Sequence, residues 1–208
     1  MKNFINIDFD LSICRSQLAE FQALLQSKKS LSEKEDILPF FRDRVHLSAF
    51  LASYNIKISR YDRLAFEYDI FGDFTADLVV GDSVTKSYCF IEFEDARPNS
   101  VFVKKTGKYS PDWSPRFEKG FSQVVDWFWK LDDLEKTDDF ESRFDSRNID
   151  YIGLLFIGRT EYLEVKEKKR LAWRQQNLVV NSKHVYCFTF DELYNDLLFR
   201  LNKYYLAP

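Results

Sequence analysis

The feature that most constrains this chain is an apolar run that ends in acid, Tyr88-Cys89-Phe90-Ile91-Glu92-Phe93-Glu94-Asp95. Successive side chains of a strand point to opposite faces, so Tyr88, Phe90, Glu92 and Glu94 share one side while Cys89, Ile91 and Phe93 take the other. Apolar residues on both faces mark a strand covered on both sides, as the inner strands of an α/β sheet are. Two carboxylates at the end of such a strand are at least partly desolvated. Held that close, away from bulk water, they are unfavourable unless a proton or a cation intervenes, and a divalent metal is the obvious cation.

The 208 residues can bury a sizeable core and suit one domain with embellishments, a helical segment over 1–57 packed on a core formed by 58–208. With 45% hydrophobic residues and only 6 Gly and 5 Pro, the disordered and low-complexity classes are excluded. Cys14, Cys89 and Cys187 are far apart, with no CxxC and only His46 and His184 as companions, which supports neither a zinc site nor a disulfide frame. The amino terminus carries Asp8 and Asp10 and has no apolar signal core, and no apolar run approaches a membrane span. A cytoplasmic protein without a membrane partner is expected.

A net charge of −3 gives no global sign of a polyanion partner, so that case rests on local charge. Between Ala96 and Gly120 the bases Arg97, Lys104, Lys105, Lys108, Arg116 and Lys119 face only Asp112 and Glu118, whereas 132–150 is acidic. Phe102, Tyr109 and Trp113 are interleaved with these bases, a mixture that suits single-stranded or splayed nucleic acid, although aromatics that merely cover the core would give the same pattern. Charge runs are most often solvated faces.

Periodicity predicts a helix over 12–28 capped by Ser12, a second starting at the capping-box spacing Ser32-Glu33-Lys34-Glu35 and interrupted at Pro39, and a short helix around Leu47, Phe50 and Leu51. From Arg60 the period becomes that of strands. Leu64, Phe66, Tyr68 and Ile70 alternate with polar or small residues, Gly72-Asp73 reads as a two-residue turn, a strand over 74–80 follows, and Gly81-Asp82-Ser83 turns the chain into the strand of the acidic run. The segment 95–114 has no period. Pro115 opens a helix whose stripe is Phe117, Phe121, Val124, Val125, Phe128 and Leu131, with Lys119 and Gln123 flanking it and Gly120 marking close approach to a neighbour. A buried strand over 151–157, a charged helix over 162–176, a strand over 184–190 and a helix capped by Asp191 complete the chain. The order implies a mixed sheet with helices on both faces.

If the 81–83 turn closes a hairpin, Asp77 stands beside Glu92 and Glu94. Hard cations such as Mg²⁺ or Mn²⁺ take oxygen ligands and keep waters, so this set suits one of them held beside a phosphate. The bland alternatives are a rim of carboxylates paired with Arg97, a helix-surface Gln123 and a Lys119 serving only an i,i+4 neighbour.

Ala76-Asp77 on one strand, Glu92-Phe93-Glu94 on the next and Gly120-Phe121-Ser122-Gln123 on the following helix resemble the PD-(D/E)xK nuclease superfamily. Within it, the chain is most similar to the nuclease-like domain of Shedu anti-phage defence proteins, through Leu31-Ser32-Glu33 before the strands, Glu67 before the acidic strand, and Phe188-Thr189-Phe190-Asp191-Glu192-Leu193 where a late strand runs into a helix. The likeness spans roughly the whole chain through short motifs in the right order. It implies a restriction-endonuclease-like α/β fold with an N-terminal helical layer and Mg²⁺- or Mn²⁺-dependent cleavage of nucleic acid, DNA ahead of RNA. Asp77, Glu92 and the Phe93 carbonyl become metal ligands, and Gln123 orients water or a phosphate. Glu94 stands where the superfamily has lysine. Either it is a further ligand, with Lys119 supplying the cation, or the site has lost catalysis and the chain is a nucleic-acid-binding or sensor module. The bases Arg97, Lys104, Lys105, Lys108 and Arg116 are the expected nucleic-acid contacts, and a homo-oligomer is compatible with the absence of a separate targeting segment.

Overall fold

The computed structural model describes residues 4–205. The N-terminal layer begins with a short edge strand β1 (Ile5–Asn6) and helix α1 (Leu11–Ser27). Asp10, rather than Ser12, caps α1, its carboxylate accepting from the Ile13 N–H at 2.9 Å. The expected capping box at Ser32 does not form. A π-helical turn spans Glu33–Ile37, and the Ser32 N–H is satisfied by Asp36 at 2.8 Å. Pro39 sits in the first turn of α2 (Leu38–Arg42), where its missing N–H costs nothing, so it restarts the helix. Helix α3 (Val45–Phe50) and a 3₁₀ turn (Leu51–Tyr54) end the layer near Asn55.

The three-strand meander forms as expected: β2 (Arg63–Ile70), β3 (Phe74–Asp82) and β4 (Ser87–Phe93) pair antiparallel in that order. Its turns differ from the reading. Ile70 pairs with Phe74, so the first loop is the three residues 71–73, with Phe71 and Gly72 both at positive φ. Asp82 pairs with Ser87, which moves the second turn to 83–86, and its carboxylate accepts from the N–H groups of Val84 and Thr85. The alternation along β2 also breaks. Leu64 and Phe66 face one hydrophobic cluster, Tyr68 and Ile70 the other, and between them Glu67 adopts a left-handed φ of 47°. A β-region residue there would have kept all four on one face.

The segment 95–114 is ordered by a small hairpin, β5 (Phe102–Val103) with β6 (Asp112–Trp113), too short to leave a period in the sequence. Helix α4 (Pro115–Leu134) follows, capped by Ser114, whose hydroxyl accepts from the Phe117 N–H at 2.9 Å. Its buried face adds Trp127 to the predicted stripe and leaves Val125 partly exposed. The acidic stretch is not a linker. It contains helix α5 (Asp138–Phe144), capped by Thr137, with Phe140 and Phe144 one turn apart in the core.

Strand β7 (Asp150–Phe156) lies parallel to β4, in register from Ser87↔Asp150 to Phe93↔Phe156. Helix α6 (Val165–Asn177), the short β8 (Val179–Val180), β9 (Lys183–Phe188) and α7 (Phe190–Tyr205) follow. Thr189, not Asp191, caps α7: its hydroxyl accepts from the Glu192 N–H and Glu192 accepts from the Thr189 N–H, a capping box. Asp191 binds Arg159 and the Thr160 N–H.

The result is a seven-stranded mixed sheet ordered β1-β2-β3-β4-β7-β9-β8, flanked by helices on both faces. One cluster joins the N-terminal helices and α7 to Cys89, Ile91 and Phe93; the other joins α4 and α5 to Tyr88 and Phe90. β4 is buried along its whole length between them. Among the described residues no helix is long and apolar enough to cross a membrane.

Candidate active site

The ladder between β3 and β4 stops at Leu78↔Ile91, and the next N–H that β4 presents, that of Phe93, is taken by the Asp77 carboxylate at 2.8 Å. Asp77 is thereby fixed beside the end of β4. Glu92 and Glu94 are 6% and 2% exposed, which confirms that the acids of this strand are desolvated. The protonated forms are favoured accordingly. Burial first, then the charges of neighbouring carboxylates, raises the pKa of Asp77 and of Glu92 well above the ordinary range. Glu94 is also raised by burial, although a guanidinium beside it pulls the other way.

That guanidinium is Arg116, in the first turn of α4. Its Nη1 lies 2.6 Å from Glu94 Oε2, and its Nη2 lies 3.2 Å from Asp95. Glu33 joins the group from the N-terminal layer. Leu31 and Ala96 form an antiparallel bridge just beyond β4, and the Glu33 N–H donates to Asp95 Oδ1 at 2.8 Å, which brings the Glu33 carboxylate to 3.6 Å from Arg116. Its charge acts on Asp77, Glu92 and Glu94 alike.

Two further α4 residues border the acids, and Gln123 follows them on the same helix. Gly120 is packed so closely that a Cβ there would come within 2.9 Å of Leu155 and 3.3 Å of Glu94 Cγ, as its mid-helix position suggested. Lys119 is exposed and acts on Glu92 and Glu94 through its charge. Gln123 Oε1 is buried with no hydrogen-bond partner, an atom that a water or ligand would satisfy.

The structure therefore brings together Asp77, Glu92, Glu94 and Lys119, and adds Glu33, Arg116 and Asp95; Gln123 follows three residues after Gly120 on the same helix. Among the described residues, no group of three or more carboxylates, His or Cys forms a ready metal cage. One oxygen of Asp77 is committed to Phe93 and one of Glu94 to Arg116. The bases expected to meet nucleic acid have protein partners: Lys104 with Glu164 at 2.5 Å, Lys105 and Lys108 with Asp112 at 2.8 and 2.9 Å, and Arg97 beside Asp95 at 3.6 Å. Phe102 and Trp113 stack on each other at 4.4 Å and on the core, leaving Tyr109 as the loop's exposed aromatic. Glu33 as a site member was not evident from sequence, and Arg116 was expected only as a nucleic-acid contact, since the contacts that place them beside the acids link distant segments.

A mixed sheet that delivers a half-buried carboxylate from one strand and buried ones from the next to the flank of one helix defines a class of α/β domain built to gather negative charge beside a few cations. A family model described as Shedu protein SduA, C-terminal, matches residues 17–194, and the chain belongs to that family. Membership connects it with anti-phage defence. A comparison with curated proteins gives no match.

Proposed function

We propose that the chain is a Mg²⁺- or Mn²⁺-dependent nuclease of PD-(D/E)xK type that hydrolyses phosphodiester bonds in phage nucleic acid, DNA ahead of RNA, in the cytoplasm. The observation that carries the reading is Asp77, half-buried on β3 and fixed by the Phe93 N–H, together with Glu92, buried at the end of β4, each raised by burial and by neighbouring carboxylates. Such a pair is short of positive charge, and oxygen donors of this kind suit a hard divalent cation. Asp77, Glu92 and the Phe93 carbonyl would hold it. When bound, it polarises a phosphoryl oxygen and lowers the pKa of a coordinated water.

The chain's own residues divide the remaining work. Arg116 brings a permanent cation to the place where Glu94 excludes the usual lysine, and holds it there through Glu94 and Asp95. Its guanidinium is 43% exposed, open enough to meet a scissile phosphate. Lys119, three residues after Arg116 on the same side of α4, adds a second exposed cation on that flank. Gln123 offers its unpartnered Oε1 to an attacking water. Glu33 and Asp95 orient Arg116.

The test is cleavage of linear duplex, single-stranded DNA and RNA with Mg²⁺, Mn²⁺ or EDTA. Metal-dependent products that disappear in Asp77→Asn and Glu92→Gln are expected, and undiminished cleavage in either variant would sink the site assignment. One observation favours a second reading, a fold-retaining module that binds nucleic acid without cutting it: the Glu94–Arg116 pair balances charge without a metal. That module binds substrate equally with or without EDTA and gives no products. A homo-oligomer remains part of the proposal, tested by light scattering.

A further inference from the structure

The face shared by α6 and the β5–β6 hairpin plays no part in the acidic site, and its charge is the reverse. α6 carries Lys166, Lys168, Lys169, Arg170 and Arg174 against one acid, Glu167. Glu167 is turned inward, its carboxylate accepting from the Glu164 N–H at 2.7 Å. Among the described residues no carboxylate pairs with Lys166, Lys168 or Lys169, in contrast to the hairpin lysines. Lys166 instead lies over the Tyr109 ring at 4.5 Å.

Arg170 and Arg174 serve a different purpose. Arg170 sits 5.3 Å and Arg174 4.8 Å from the Trp113 ring centre, and Arg174 is pinned by both oxygens of Glu118 at 2.7 and 3.0 Å. These guanidiniums floor a cleft of about 300 Å³ walled by Trp113, Trp173 and Leu178. Trp173 is 63% exposed and Tyr109 93% exposed. An indole open to solvent at this cleft, with Lys169 four and Lys166 seven residues before it on the same helix face and neither paired with a carboxylate among the described residues, selects for a polyanion that carries flat aromatic groups. A duplex hides its base faces in the stack; an unpaired strand offers them.

We infer that this face binds a nucleic-acid strand with unpaired bases, one base stacking on Trp173 at the cleft while the backbone runs along Lys166 and Lys169. The inference rests on the nucleic-acid reading above and names its substrate form. The first turns of α4 border both places: Glu118 holds Arg174, and Gly120 abuts Glu94. A strand seated on α6 is thus delivered to the flank of the helix that carries Arg116.

The test is fluorescence anisotropy of the full chain with short labelled oligonucleotides in EDTA, where nothing is cut. Single strands bind more tightly than blunt duplex, Trp173→Ala weakens them about tenfold, and Trp173→Phe retains most of the affinity. Lys166→Ala with Lys169→Ala makes the salt dependence shallower by roughly one to two ions. An unchanged melting temperature for Trp173→Ala, a surface residue, shows that the fold is intact. Equal affinity for duplex and single strand, or undiminished affinity in Trp173→Ala, overturns the inference; the second is also the outcome for a surface built to meet a protein. Because binding is read without metal, it stands or falls independently of cleavage by the acidic site.

Discussion

Nη1 of Arg116 lies 2.6 Å from Oε2 of Glu94, so the cation of this acidic site comes from the first turn of a helix and not from the strand itself. Glu94 is 2% exposed and has been taken out of water, whereas Arg116 is half in solvent. The pair is thus asymmetric: losing the arginine strands a buried carboxylate, while losing the carboxylate frees a solvated cation.

Arg116→Ala is expected to destabilise the chain by about 1–2 kcal/mol, less than a fully buried pair because the guanidinium is half exposed. Glu94→Gln in the same background should restore part of the loss. Urea melts of the two single variants and the double variant measure the coupling, and additivity within error would mean that the contact contributes nothing. In the proposed reaction Arg116→Ala lowers cleavage by about 100-fold, the scale of one lost charge-stabilising donor, and Arg116→Lys recovers only part.

Asp77 and Glu92 should reveal themselves through pH. Their folded pKa values lie above the unfolded ones, so the folded chain holds the extra protons. The stability they contribute is fully present below the ordinary carboxylate range and is lost as pH rises through their raised values. Asp77→Asn and Glu92→Gln, which remove the charge, are therefore expected to raise the melting temperature at alkaline pH and to do little in acid. About 1 kcal/mol, or roughly 2–4 °C for a chain of this size, is the expected scale. A gain of equal size at both ends of the range would contradict the assignment.

The same linkage sets the metal dependence. Mn²⁺ or Mg²⁺ competes with protons for these oxygens, so thermal stabilisation by the metal should appear at neutral and alkaline pH and fade in acid. Scanning calorimetry with and without EDTA reads it, and Glu92→Gln should abolish the shift. Stabilisation that survives in that variant would place the metal elsewhere.

Gly120 gives a packing test. Alanine in a helix interior gains about 1 kcal/mol over glycine, but here the new methyl meets Leu155 at 2.9 Å and Glu94 Cγ at 3.3 Å. Overpacking of this kind costs about 1–3 kcal/mol, so Gly120→Ala is expected to be neutral to destabilising and to displace Glu94 from Arg116. Denaturant midpoints check the first outcome. A clear stabilisation would show that α4 is free to shift.

The acidic strand and the helix after it were legible because their periods are long and their signals agree: an apolar run on both faces, a proline at the helix start, a stripe every third or fourth residue. Thr137 ahead of Phe140 and Phe144, and Thr189 three residues before Glu192, were readable as helix starts, but the surrounding acids in one case and Asp191 in the other drew the eye. The hairpin of Phe102 with Trp113 was not readable, since two-residue strands have no period. Nor was Glu33, whose arrival depends on the bridge between Leu31 and Ala96, a contact across many intervening residues that no local pattern encodes. The basic loop shows the converse limit. Its lysines are plain in the sequence, but only the fold shows that Asp112 and Glu164 pair with them and reduce the charge left over.

The left-handed backbone at Glu67 has a mechanical consequence. On β2, Leu64 and Phe66 pack with the N-terminal helices whereas Tyr68 and Ile70, beyond Glu67, pack with α4 and α5, so one continuous ribbon is stitched through both layers. Neither layer can melt without unpicking the other, and denaturation should be all-or-none. Asp77 sits opposite Glu67 on that ribbon, at the seam, where any loosening of either half would be felt first as a change in the spacing of the acids.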